Sequence, residues 1–248
     1  PMPLRAEDGF LPRFDEIPAI VVQQARIMVL SYPHNPTTAI ATLDFFKTAV
    51  EFCQTHHIIL VHDFPYVDLV FNKAFMPSIL QADPTRACSI ELFTFSKSYN
   101  MGGFRIGYAI GNAELIRGLR QVKAIVDFNQ YQGILNGAIT ALTQCRDEVV
   151  QTVETFRERR DVFVQALNKI SWVVPTPPAT MYVWAQLPKP WQQNSIGFCK
   201  DLVAATGVAA SPGAGFGPNG EGYVRFALVQ DPATLKTAVD RIESFLHT

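Results

Sequence analysis

Short apolar runs alternate with stretches of helical spacing along most of this chain, and that alternation sets the expected fold. Ile27 to Ser31 is one such run. Leu43, Phe46, Val50 and Cys53 then fall at amphipathic-helix spacing, with Thr42 placed to cap the helix, and the apolar run Ile58 to Val61 follows directly. A strand, a helix and a strand joined this closely predict a parallel crossover. Asp63 then falls at the carboxyl end of a parallel strand, where open α/β sheets bind ligands. Ile90 to Phe95 is a further run with Lys97 just beyond it, and Arg105 to Ile110 reads as another strand. Asn112 can cap a helix carrying Leu115, Leu119, Val122 and Val126.

Asp147 to Ile170 is a long helical pattern in which Val149, Val153, Phe156 and Phe163 stand between charged positions. Beyond it the spacing predicts a strand at Trp172 to Val174, a turn at PTPPAT and a strand at Met181 to Leu187. Ser195 is the expected cap of a helix through Thr206, Tyr223 to Leu228 reads as a strand, and Asp231-Pro232 starts a last helix with Leu235, Val239, Ile242 and Leu246. The expected architecture is α/β. Residues 1–146 carry a mostly parallel sheet with flanking helices, and residues 147–248 a linking helix and a small α+β domain.

Composition narrows the partners. With 21 basic and 22 acidic residues the net charge is −1, so no broad field favours nucleic acid or an anionic membrane. No apolar run approaches the roughly 18 residues of a membrane helix, and PMPLRAEDGF is not a secretory signal, so a cytoplasmic location is expected. Cys53, Cys88, Cys145 and Cys199 are far apart and form no CxxC pair, which indicates neither zinc nor a disulfide framework.

The chemistry centres on Lys97. It sits past a buried strand, beside the hydroxyls of Thr94, Ser96 and Ser98, with a glycine-containing turn leading to Arg105. A lysine so placed can form a Schiff base beside an anion site. Each neighbour also has a plain reading: Asp63 as a cap or turn residue, Asn35-Pro36 as a turn signal, Arg105 as a surface arginine, and Arg225 as the outward position of a half-buried strand between Val224 and Phe226. Three features carry less. His56, His57 and His62 mimic a metal cluster, but two of them sit where a helix ends. Gly213, Gly215 and Gly217 precede a strand, not the helix of a dinucleotide loop, and suit a loop near a substrate entrance. Arg157, Arg159 and Arg160 interleave with acidic residues as on a solvated helix face.

The segments SYPHNPT, VHDFPYVDLVF, FTFSKSYNMGGFRIG, TMYVWAQLP, SPGAGFG and YVRFAL, in this order, resemble the class I pyridoxal-phosphate aminotransferases of fold type I, most closely the alanine-type (glutamate-pyruvate) branch. The resemblance implies pyridoxal 5′-phosphate as cofactor, held covalently by Lys97, which also moves protons between substrate Cα and cofactor C4′. It assigns Asp63 to the pyridine nitrogen, Tyr66 and Asn35 to the phenolic oxygen, and Arg105, Thr94 and, more weakly, Ser96 to the phosphate. Arg225 takes the substrate α-carboxylate. The implied substrates are an amino acid and a 2-oxo acid, alanine with 2-oxoglutarate leading. Aspartate, aromatic, branched-chain or diaminopimelate substrates, a carbon–sulfur lyase and a non-catalytic fragment stand as alternatives. The family forms homodimers. The resemblance begins mid-domain at PLRAEDGFLPRFDEIP, so a missing upstream portion of the large domain is expected.

Overall fold

Residues 1–71 and 76–247 are described by the computed structural model, and the final residue of the expected small domain lies outside them. After a short helix α1 (Ala19–Gln24), the first apolar run forms strand β1 (Ile27–Leu30). Helix α2 (Leu43–Thr55) starts where Thr42 accepts a hydrogen bond from the Phe45 N–H at 3.2 Å. Its apolar stripe, Phe46, Ala49, Val50 and Cys53, is buried against Met28 and Leu30, with Phe46 and Val50 each stabilising by about 1.5–3 kcal/mol. His56 is the residue that closes α2 and His57 follows in the left-handed region at φ 55°, so both end the helix as their spacing suggests.

Strand β2 (Ile59–Asp63) pairs parallel to β1, with Leu30 opposite His62, and β3 (Ser89–Thr94) pairs parallel to β2, with Asp63 opposite Leu92. A one-turn helix α3 (Ile79–Ala82) precedes β3, and α4 (Phe95–Ser98) follows it at once. Strand β4 (Gly107–Gly111) runs antiparallel to β3 and completes the order β1-β2-β3-β4. It begins later than expected: Arg105 takes a left-handed conformation at φ 55°, which no strand accommodates. The carboxyl ends of β1, β2 and β3 therefore open on one rim, and the loop carrying Asn35, the residue Asp63 and the helix carrying Lys97 all leave from it.

Helix α5 (Ala113–Val126) is capped by Asn112, which accepts from the N–H groups of Glu114 and Leu115. Helix α6 (Gln132–Gln144) had no expectation attached, because QGILNGAITALTQ has two glycines and no charge to mark a polar face. The long helix α7 (Arg146–Lys169) matches its pattern within a residue. Arg160 departs from the solvated face expected for it, being buried with its guanidinium on the Phe71 ring and donating to the Pro177 carbonyl at 3.1 Å.

Trp172 to Val174 is not a strand. Trp172 and Val174 are buried, but the Val174 N–H bonds the Asn168 side chain and the Trp172 indole bonds the Gln186 carbonyl, so the segment needs no neighbouring strand. Strand β5 (Tyr182–Gln186), helix α8 (Ser195–Thr206), the two-residue β6 (Ser211–Pro212), β7 (Tyr223–Ala227) and helix α9 (Pro232–Leu246) complete the chain, with β7 between β5 and β6. Asn194, not Ser195, caps α8 by accepting from the Gly197 N–H, and Ser195 is turned inward to Glu221. Asp231 caps α9 with Pro232 in its first turn.

Alternation along β7 buries Val224 and Phe226 among Phe163 and Leu167 of α7, Phe198 of α8 and Val239 of α9. Tyr66, Leu69 and Phe71, from the loop after β2, belong to this same core. The loop is fastened there by backbone bonds from Phe71 N–H to the Pro178 carbonyl and from Thr180 N–H to the Leu69 carbonyl, at 2.9 and 2.8 Å.

Candidate active site

The crevice between the rim of the first sheet and strands β5 and β7 gathers most of the residues singled out in the sequence. Asp63 ends β2 with its carboxylate open to the crevice, and among the described residues it has no hydrogen-bond or ion-pair partner. Crowding by protein atoms pushes that carboxyl above its ordinary range, with His62 opposing the shift. Behind it the ring of His62 is fully buried. Its Nδ1 lies 2.8 Å from Glu91 Oε1 and its Nε2 3.0 Å from the Tyr32 carbonyl, so the residue before Asp63 is held from both sides.

Lys97 is half-buried on α4, flanked by the buried Phe95 and Ser98. Its Nζ lies 5.9 Å from the centre of the Tyr66 ring and, among the described residues, has no hydrogen-bonding or carboxylate partner. A cation left facing a ring at the mouth of a crevice is available for chemistry. Tyr66 is buried, and its hydroxyl donates to the Tyr182 hydroxyl at 3.2 Å. Burial, then that bond, push the phenol above its ordinary range, so it holds its proton at neutral pH.

Arg225 reaches from β7 across to the first half of the chain. Nη1 donates to Asn35 Oδ1 at 2.7 Å and Nη2 to Ser211 Oγ at 3.2 Å. Its Cζ lies 4.3 Å from the Tyr182 ring centre and 4.7 Å from that of Phe216, and among the described residues its buried Nε has no hydrogen-bond partner. Residues of two different sheets therefore meet at this guanidinium. The glycine-containing loop after β6 is what carries Phe216 there: Gly213 and Gly220 approach so closely that a Cβ on Gly213 would fall 1.8 Å from the Gly220 carbonyl oxygen. Beside Asn35 lies a 390 Å³ cavity lined in part by Phe10, His34, Trp184 and Phe216. Burial holds His34 neutral by lowering its pKa to about 4.

The anion-binding part is looser. Thr94 Oγ1 accepts from the Ser96 N–H at 3.1 Å and donates to Ser96 Oγ at 2.9 Å, so the two hydroxyls serve each other and the turn into α4. Arg105 is exposed, with Nη1 donating to the Gly102 carbonyl at 2.7 Å. Among the described residues it meets no carboxylate, and no hydrogen bond joins it to Thr94 or Ser96. The three share a loop closed by the pairing of Thr94 with Gly107.

Tyr182, Ser211 and Phe216 are the site residues that sequence reasoning missed. The segments TMYVWAQLP and SPGAGFG drew attention, but nothing in them marks which side chain turns toward Arg225. Only the strand register shows it for Tyr182, by placing Tyr182 and Arg225 on one face of the β5–β7 pair.

Comparison with known proteins identifies the family. The family description "Aminotransferase class I and II" matches residues 1–242. The LL-diaminopimelate aminotransferase of Dehalococcoides mccartyi is 41% identical over 244 residues, covering 98% of this chain and 62% of its own length. An LL-diaminopimelate aminotransferase of Trichormus variabilis is 40% identical with the same coverage, 98% and 62%. Among solved structures, BacF from Bacillus subtilis superposes with a TM-score of 0.94 at 33% identity, over 98% of this chain and 62% of that one. A probable N-succinyldiaminopimelate aminotransferase from Thermus thermophilus gives 0.90 at 38% identity, over 98% and 64%. The chain thus spans about 62% of the length of the curated relatives it matches.

Proposed function

The chain belongs to the class I and II aminotransferases, a pyridoxal 5′-phosphate family of fold type I, and from that membership we propose that it serves transamination between an amino acid and a 2-oxo acid. The substrate reading moves from alanine to diaminopimelate, held above as an alternative, because the relatives at 40–41% identity are LL-diaminopimelate aminotransferases. A 2-oxo acid such as 2-oxoglutarate is the partner substrate.

The residues present fit the cofactor. Among the described residues a lysine and a carboxylate without hydrogen-bonding or ion-pair partners, two phenols and Arg225 face one crevice, with Arg105 exposed on the loop after α4, and their charges complement a phosphate, a ring nitrogen and a carboxylate. When bound, the cofactor supplies the electron sink that makes loss of the substrate α-proton feasible. Lys97 would hold it covalently and, once released, carry the proton between Cα and C4′, a positioned acid/base role contributing about 10²- to 10⁴-fold in rate. Asp63 would keep the pyridine nitrogen protonated, since an opposite charge favours the charged form. Tyr66 and Asn35 would hold the phenolic oxygen, and Arg105 with Thr94 and Ser96 the phosphate. Arg225 would take the α-carboxylate in the planar two-point manner suited to guanidinium. The observation that carries the reading is the bond from Arg225 to Asn35, which joins the proposed substrate and cofactor residues.

The same reading divides the chain at 146/147 into a remainder of the large domain and a linking helix with the small domain, and makes the full-length protein a cytoplasmic homodimer. Among the described residues no helix is long and apolar enough to cross a membrane. Val122, Ile125, Val126 and Phe128 leave apolar surface on and after α5 that a second subunit would cover. A second reading, a chain that needs further polypeptide for catalysis, is favoured by the bare β1, where Ile27 and Val29 are 57% and 60% exposed. The test is a visible absorption spectrum of the chain with pyridoxal phosphate, for wild type and Lys97→Ala, followed by LL-diaminopimelate or alanine. A lysine-dependent band bleached by LL-diaminopimelate is expected. No such band would refute activity of this chain, and bleaching by alanine alone would return the substrate to the alanine type.

A further inference from the structure

Tyr182 opens β5, is 7% exposed, and touches both proposed ends of the site at once. Its hydroxyl meets that of Tyr66 at 3.2 Å, and its ring lies 4.3 Å from the Arg225 guanidinium carbon. The two rings also meet edge to face, with centres 6.0 Å apart and planes at 77°. Among the described residues neither hydroxyl has another side-chain partner.

That isolation has a chemical meaning. Two hydroxyls carry two protons, and one hydrogen bond between them uses only one. The second proton of the buried pair is left to be given to an acceptor in the crevice, and either oxygen can carry it because a hydroxyl rotates. Meanwhile Tyr182 and Phe216 stand against the Arg225 guanidinium, with Asn35 and Ser211 taking its Nη1 and Nη2. A guanidinium whose plane is fixed in this way offers a preorganised fork to a carboxylate.

We infer that Tyr182 is a positioning residue with two separable functions: in the free chain its hydroxyl accepts from Tyr66, and when an oxyanion lies against Tyr66 the two hydroxyls turn over so that Tyr182 donates to Tyr66 and Tyr66 to the oxyanion, while its ring fixes the plane of Arg225. This rests on the functional reading above, in which Tyr66 faces the cofactor's phenolic oxygen and Arg225 a substrate carboxylate. A hydroxyl that receives a hydrogen bond becomes a stronger donor, so Tyr182 acts on the cofactor through Tyr66.

The two functions separate by substitution. Tyr182→Phe keeps the ring and removes the hydroxyl, so the pH midpoint of the lysine-dependent absorption band should rise by about 0.5–1 unit, the size of one neutral hydrogen bond. KM for the amino acid should stay within about twofold, as the cation–ring contact survives. Tyr182→Leu removes both and should raise the midpoint as well as KM, the latter about 3- to 10-fold. Circular dichroism of both variants identifies loss of fold, and Tyr182→Phe, being the milder change, carries the decision if the leucine variant unfolds. A purely structural residue would change unfolding midpoints but leave the band midpoint alone. A wild-type band with its midpoint unmoved in Tyr182→Phe overturns the inference and leaves the functional reading intact, whereas absence of the band in wild type overturns both.

Discussion

The buried pair behind Asp63 gives the sharpest test of what holds the site. Glu91 is fully buried and accepts three hydrogen bonds: His62 Nδ1 at 2.8 Å and the Ile79 N–H at 2.9 Å on Oε1, and Ser78 Oγ at 2.6 Å on Oε2. Glu91→Ala strips all three donors of their acceptor, two of them in buried positions and the third, Ser78 Oγ, partly buried. Each orphaned buried donor costs about 1–3 kcal/mol, so with some relaxation the loss should be roughly 3–6 kcal/mol. That is a large part of the about 5–15 kcal/mol that keeps a typical protein folded. Glu91→Gln behaves differently. Its carbonyl can still accept from His62 and Ile79, and its amide can donate to Ser78 Oγ, so about 0.5–2 kcal/mol is expected. Urea unfolding followed by far-UV circular dichroism measures the difference. Since His62 immediately precedes Asp63, Glu91→Gln should also weaken cofactor affinity several-fold. An alanine variant within about 1 kcal/mol of wild type, or a glutamine variant as damaged as alanine, would refute the argument.

Two further outcomes follow from the site. Arg225→Lys loses the planar fork that serves Asn35 and Ser211; KM for the amino acid should rise by roughly 10- to 100-fold with the cofactor band unchanged, and unaltered steady-state kinetics would remove Arg225 from the substrate site. Asp63 has its carboxyl pushed up by burial, so the folded chain keeps that proton to higher pH than the unfolded one. Its contribution to stability therefore falls as pH rises from the ordinary carboxylate value through the raised one. Relative to Asp63→Asn, wild type should lose stability across that interval in paired unfolding curves while the variant loses the cofactor band; a difference that is flat or rises with pH would sink this account.

How much of this could be read in advance depends on whether the cause was local. Thr42, Asn112 and Asp231 cap helices by bonds within three residues, so their neighbours announce them. The same reasoning named Ser195 as the cap where Asn194 serves, because both residue types cap and the difference lies in Glu221, 26 positions from Ser195, which draws Ser195 inward. Trp172 to Val174 has strand-like composition but finds its partners in Asn168 and Gln186, which no alternation reveals. Lys97 and Asp63 could be named because chemistry-bearing types at strand ends stand out, whereas Arg225, in the middle of β7, was named through the family resemblance of YVRFAL. Tyr182 could not, since its bond to Tyr66 spans 116 residues and an aromatic on a strand is ordinarily core.

The fastening of the loop after β2 changes what a boundary in this chain means. Tyr66, Leu69 and Phe71 precede α7 by more than seventy residues yet complete the core that α7, α8 and α9 enclose. Cut at 146/147, the second piece would lack three buried side chains and the bonds from Pro178 and Thr180 to that loop, so the chain is divided in sequence at a point where it is not divided in space. Any opening or closing of the crevice must then carry Tyr66 with β5 and β7 while Asp63, three residues earlier, stays with the first sheet. The short span from Asp63 to Tyr66 becomes the joint across which movement of one half is felt by the other.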